Sequence, residues 1–191
     1  MPPQLAELVG GREWAVLAAP VVVSAELRRI VWRDAAKAAV IGMVAVFLLM
    51  WADLSSPVRA MLALVPLAFG MVWMLGLMAL LGLRVNFMNI FVITMVIGIG
   101  VDYGVHLLHR WFESDGDSAA MAGTARAIAV AALTTMVGFG SIGLSHFPGL
   151  RSVGVVAILG ALCTAVASIT VLPVLLAYVT RRDTRNVKRE T

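Results

Sequence analysis

Apolar positions along this chain gather into five long runs, at about 36–52, 59–82, 86–108, 127–146 and 152–179. A helix needs roughly 20 mainly apolar residues to cross the hydrocarbon layer of a membrane. The first run is the shortest, and the last is long enough to tilt. Strands of a membrane barrel alternate in polarity over about 10 residues. These runs do not alternate, so the pattern predicts helices. The polar breaks are compact. Asp53, Ser55, Ser56 and Pro57 end the first run, and Gly82 to Asn86 separate the second from the third. Glu113, Ser114, Asp115, Gly116, Asp117 and Ser118 form the longest link, followed by a short Ala-rich helix carrying Arg126. His146, Phe147, Pro148 and Gly149 turn the chain into the last run. Pro66 and Pro173 fall inside spans, where neighbouring helices can satisfy the carbonyls they free. The expected fold is an all-α integral membrane protein, a five-transmembrane-helix bundle over 34–180.

Composition supports the same class. Hydrophobic residues make up 61% of the chain and charged residues 14%, against roughly 45–50% and about 25% in soluble domains. Residues 1–33 are more polar, with Arg12, Glu13, Glu26, Arg28, Arg29 and Arg33 among short apolar stretches. They lack the ordered parts of a signal peptide. They read as the end of a preceding polar domain followed by a pre-membrane helix. The cluster Arg181, Arg182, Arg185, Lys188 and Arg189 directly follows the last span. It predicts a basic cytoplasmic tail over 181–191, anchored near anionic lipid. The chain's net charge of +4 gives no reason to expect a nucleic-acid partner. Loop arginines and lysines are nearly balanced between the two orientations. If residues 1–33 close a translocated domain, they drop out of the count, and the bias then places the C-terminus in the cytoplasm. The single cysteine, Cys163, lies inside the last run and reads as a packing residue.

The third run holds the candidate chemistry. Of the 11 acidic residues, only Asp102 sits well inside an apolar run. A charge at the bilayer centre costs roughly 2.5–3.5 kcal/mol on insertion scales. A carboxyl kept there is a candidate proton carrier, because hydrocarbon favours its neutral form. His106 follows one turn later and His109 two turns later, while Gly98 and Thr94 precede it on the same side. This stripe is expected to point into the bundle rather than at lipid, with the Tyr103 hydroxyl beside it. Gly100 and Gly104 form a small-xxx-small pair. Thr134, Thr135, Gly138 and Gly140 on the fourth run, and Gly154, Ala157 and Ala161 on the fifth, extend the small-residue faces. Together they predict tight packing around Asp102, with Gly98, Gly100, Gly104 and Gly138 as helix contacts.

Other chemistries do not fit. No Cys pair or His/Glu set has metal-ligand spacing. His106 and His109 share a helix and His146 lies at the far end of the fourth, so facing haem ligands are not expected. Gly98-Ile-Gly100 is no nucleotide loop, since it lies within a membrane run rather than after a strand. Neither metal nor cofactor is expected, and no serine-hydrolase set can be assembled; the chain does not read as an enzyme.

Two stretches carry a family resemblance. Asn86-Phe-Met-Asn-Ile followed by Gly98-Ile-Gly-Val-Asp-Tyr-Gly-Val-His106 resembles the fourth helix of a repeat in the resistance-nodulation-division (RND) superfamily, closest to its MMPL and hopanoid-associated branch. Leu133-Thr-Thr-Met-Val-Gly-Phe139 resembles the start of the next helix. Leu150-Arg-Ser-Val-Gly154 and Leu172-Pro173 resemble the last. The resemblance covers about 26–180. It implies twelve spans in two similar halves, each with a large periplasmic domain after its first span. This chain would hold the last five spans of a half, the C-terminal one. It would lack its N-terminal counterpart, on the same or a separate chain. It implies a proton relay at Asp102 and Tyr103, with His106, Thr134 and Thr135 as candidate supports. It also implies lipids or hydrophobic compounds as substrate, and a multi-pass place in a bacterial inner membrane with a periplasmic N-terminus. A sterol- or lipid-sensing membrane module shares the five-helix plan and need not move protons. A translocation accessory subunit of the SecD/SecF kind resembles the same superfamily, but usually lacks Asp-Tyr-x-x-His.

Overall fold

The computed structural model describes the backbone over residues 13–86 and 88–190, and side chains over residues 30, 32–86 and 88–179. Over the described residues the chain forms five helices and no strand: α1 (Glu13–Leu54), α2 (Pro57–Leu80), α3 (Ile90–Glu113), α4 (Ser118–Gly143) and α5 (Pro148–Glu190). Each contains a stretch long and apolar enough to cross a membrane, the shortest being Trp32–Leu54 and the longest Pro148–Val179. A 24-residue helix such as α2 rises about 36 Å, which exceeds the roughly 30 Å of hydrocarbon.

Two boundaries differ from expectation. The short helix expected around Arg126 is not separate: it is the first part of α4, which starts where Asp117 accepts the Ala120 amide at 3.0 Å. Alanine is the strongest helix former, and no proline interrupts the stretch before Gly143. The apolar run at 36–52 is only the second part of α1, whose helical backbone extends back to Glu13. Residues 1–12 of the expected domain remnant lie outside the described residues, as does Phe87 of the Asn86 motif.

The break between α1 and α2 is tight. Ser55 adopts φ 50, the left-handed region, and Ser56 is extended. Pro57 then begins α2, where a missing amide hydrogen costs nothing. Pro66 and Pro173 lie within continuous helices.

The bundle is organised around α5. That helix packs against α2, α3 and α4, whereas α1 touches only α2 and α3. Within the spans 56% of α5 is buried, but only 11% of α1 and of α4. Small residues permit the closest approaches. A Cβ on Gly104 would fall on the carbonyl oxygen of Ala63 in α2. On Gly70 it would lie 2.7 Å from Thr164 Cα, and on Gly100 2.8 Å from Leu67 Cδ1. Thr164 is fully buried between these helices and returns its hydroxyl to Gly160 O at 2.8 Å. At α4 and α5, a Cβ on Gly154 would lie 2.5 Å from Gly143 Cα. Backbones this close maximise dispersion contact, which drives association where lipid removes the hydrophobic force.

These contacts correct one sequence inference. The tight cluster surrounds Thr164, not Asp102. Successive helix residues are 100° apart, so Gly100 and Gly104, each two positions from Asp102, sit about 200° round the helix from it. A Cβ on Gly98 or Gly138 would meet nothing within 4 Å. The packing expected at those two positions is therefore not found among the described residues.

At the other end of α3, the Asn86 and Leu150 motif stretches meet in one polar knot. Asn86 Oδ1 accepts the amides of Met88 and Asn89 at 2.9 Å, and Asn89 Oδ1 accepts the Asn86 amide at 2.8 Å. This reciprocal arrangement satisfies the amides of the turn that leads into α3. The two side-chain amides then donate to Ser152 Oγ, at 3.1 Å from Asn86 and 2.9 Å from Asn89, tying α3 to α5. Asn89, fully buried, also donates to Arg84 O at 3.0 Å. Leaving such a buried amide unpaired would cost about 1–3 kcal/mol, and here every polar atom of its side chain has a partner.

Candidate functional site

The helical period splits the Asp-Tyr pair between two environments. Tyr103 is 5% exposed and points into the core beside Leu107 and Ala132. Asp102, next in the chain and 100° round the helix, is exposed. It forms no hydrogen bond or ion pair among the described residues. His106, one turn on, is exposed too. The stripe expected to point into the bundle thus lies on a face that these five helices leave uncovered.

That face is one wall of a groove of about 830 Å³ between α3 and α4. Asp102, Tyr103, His106 and His109 line it from α3, and Thr124, Ala127, Ala131 and Thr135 from α4. The Tyr103 hydroxyl approaches Thr135 but makes no hydrogen bond of ordinary geometry and is buried without a partner. Thr135 Oγ1 instead donates to Ala131 O at 3.0 Å, and Thr134 Oγ1 to the same carbonyl at 2.8 Å. Thr134 is exposed and does not line the groove. Thr94 lies elsewhere, in a hollow between α1 and α3 with Asp34 and Phe91. Of the proposed supports, then, His106 and Thr135 share the groove with Asp102 and Tyr103.

Beside the far end of the groove lie contacts that sequence reasoning did not foresee. His109 Nε2 lies 2.6 Å from Asp53 Oδ2, which joins α3 to the end of α1. Arg59 of α2 stacks over the Phe112 ring at 4.3 Å, and Arg110 pairs with Glu113 at 3.6 Å. Asp53 and His109 are 56 positions apart. The available signal was topological: an up-down bundle brings the α1–α2 turn and the end of α3 to one side. Among the described residues no three His, Cys, Asp or Glu side chains come together as metal ligands.

Comparison with known proteins agrees with this architecture. A membrane protein of Methanocaldococcus jannaschii is 26% identical over 157 residues, covering 78% of this chain and 40% of the relative. The hopanoid transporter HpnN of Burkholderia multivorans is 27% identical over 168 residues, covering 88% of this chain and 18% of that protein. The hopanoid transporter HpnN of Rhodopseudomonas palustris is 31% identical over 134 residues, covering 70% and 15%. The chain therefore spans less than half the length of each of these relatives. No solved structure matches it. The sequence model of the MMPL family matches residues 12–191, which takes in all five spans, the knot at Asn86 and the groove at Asp102; the chain belongs to the MMPL family.

Proposed function

We propose that this chain is one half of the membrane domain of a proton-driven exporter of lipids or hydrophobic compounds, with Asp102 and Tyr103 in its proton relay. The observation that carries the reading is Asp102 itself: an unpaired carboxyl within a membrane span, on an uncovered helix face. Facing lipid alone, its charge would cost several kcal/mol. A second set of helices laid over the face would supply it with partners and exclude lipid. Gly98 and Gly138 leave that surface without side-chain bulk, which suits close approach of another backbone. The chain's small share of its relatives, 40% or less, supports a complementary half. The two relatives named hopanoid transporters support a lipid as the class of cargo.

The test uses the complete transporter in energised membrane vesicles. Export of a lipid substrate should stop within the time a protonophore takes to collapse the gradient. Export that continues at full rate after collapse, or export by the isolated five-helix chain, would remove the reading.

In the proposed topology the N-terminal side of α1 is periplasmic and the C-terminus cytoplasmic, in the cell membrane. The turn at Asp115 is then cytoplasmic. With Cys163 changed to Ala, Asp115→Cys should react with an impermeant maleimide in inverted vesicles and be silent in intact cells. Labelling of intact cells would invert the topology.

A further inference from the structure

We propose that His109, positioned by Asp53, is the group through which protons pass between the Asp102 groove and the aqueous phase. This rests on the proton-driven reading and extends its relay to the surface. Three observations carry it.

The first is continuity. A single groove reaches from Tyr103 and Asp102 past His106 to His109. Along the helix His106 lies about 6 Å beyond Asp102 and His109 about 10.5 Å beyond it. Those gaps exceed hydrogen-bond reach and match chains of one to three waters. The second is an orphaned group at the head of the groove. The Tyr103 hydroxyl is buried and without a partner, and a polar atom in that state calls for water. A groove of about 830 Å³ holds many waters.

The third is the wiring of His109. Its Nε2 lies 2.6 Å from the Asp53 carboxylate, while its Nδ1 makes no hydrogen bond among the described residues. One ring nitrogen is therefore held by an acid and the other is free for groove water. The remaining charges around it are occupied. Arg59 of α2 lies on Phe112, and Arg110 pairs with Glu113 on α3 itself. From α4 the groove presents only the Thr124 hydroxyl as a polar group near this end, and α5 contributes none of its lining. An imidazole can bind a proton at one ring nitrogen while the other stays hydrogen-bonded, which suits it to shuttling protons between a groove and water.

The transfer balances. A proton leaves the Asp102 carboxyl, crosses groove water and binds Nδ1. His109 becomes an imidazolium with Asp53 as counter-ion. Nδ1 then gives its proton to bulk water, and the ring returns to the neutral tautomer it started from, with Nε2–H still on Asp53. Asp53 is a positioning residue here. It orients the ring and balances its charge without touching Asp102.

The experiment measures proton flux by the complete transporter in proteoliposomes. His109→Ala should slow flux about 10²-fold, and imidazole in the bath should restore most of the loss. His109→Gln keeps a donor for Asp53 but cannot carry a proton, so it should be as slow as the alanine variant. Normal flux in either variant, or slow flux that imidazole does not restore, would overturn the proposal and leave His109 as a structural tie. Asp102→Asn in the same vesicles separates the two readings. If that variant conducts normally, the proton-driven reading fails; if it is silent while His109→Ala conducts normally, only the present inference fails.

Discussion

Replacing Asp102 with asparagine should abolish export by the complete transporter while leaving the amount of protein in the membrane unchanged. A relay group must bind a proton on one side and release it on the other. Asn keeps the size and polarity of the side chain but cannot lose a proton. Asp102 makes no hydrogen bond or ion pair among the described residues, so its removal breaks no contact there. It also removes a charge that the membrane opposes. Expression and insertion are therefore expected to hold while export falls to background, beyond the 10²-fold typical of losing a positioned proton-transfer group. Tyr103→Phe should be milder: its hydroxyl has no partner to lose, and phenylalanine fills the same space. Export assayed in cells, with protein level followed alongside, decides the matter. Normal export by the Asn variant would reduce Asp102 to a passive polar group and favour a sensing module over a proton-driven pump.

Gly104→Ala should be among the most damaging single-methyl changes in the bundle. The added Cβ would coincide with the Ala63 carbonyl oxygen. That atom belongs to the α2 backbone, so no rotamer change relieves the overlap and the two helices must separate. Overpacking of a fitted core typically costs about 1–3 kcal/mol, and this contact belongs at the upper end. Gly98→Ala is the matched control on the same helix. Its Cβ meets nothing within 4 Å, and alanine gains about 0.5–1 kcal/mol over glycine inside a helix. The chain purified in detergent should lose several degrees of thermal stability with Gly104→Ala and none with Gly98→Ala. Equal stability of both would mean that α2 and α3 do not approach as closely as described.

The five spans were legible because their signal is length and apolarity, which tertiary context does not alter. Asp102 stood out for the same reason. Its surroundings were less legible. Grouping Gly100 and Gly104 with Asp102 ignored the 200° between them; helix arithmetic alone would have split the glycines toward Thr164 and the carboxyl toward the groove. The Asn86 and Leu150 stretches were visible as motifs, but their meeting through Ser152 depends on how α3 and α5 lean together. The His109–Asp53 pair needed the same three-dimensional information, since nothing local to either residue signals the other.

The position of the best-buried helix in chain order shapes how the protein is made. A ribosome delivers helices to the membrane from the N-terminus, and α5 comes last of the five. Until it arrives, Gly70, Gly100 and Gly143 have no Thr164 or Gly154 to meet, and Asn86 and Asn89 lack the Ser152 hydroxyl. The nascent α4 has only α3 to lean on. Much of the packing in the core can thus form only once α5 is in the membrane. Mutations along the α5 seam should therefore act during biogenesis, by prolonging the interval in which quality control meets an open bundle.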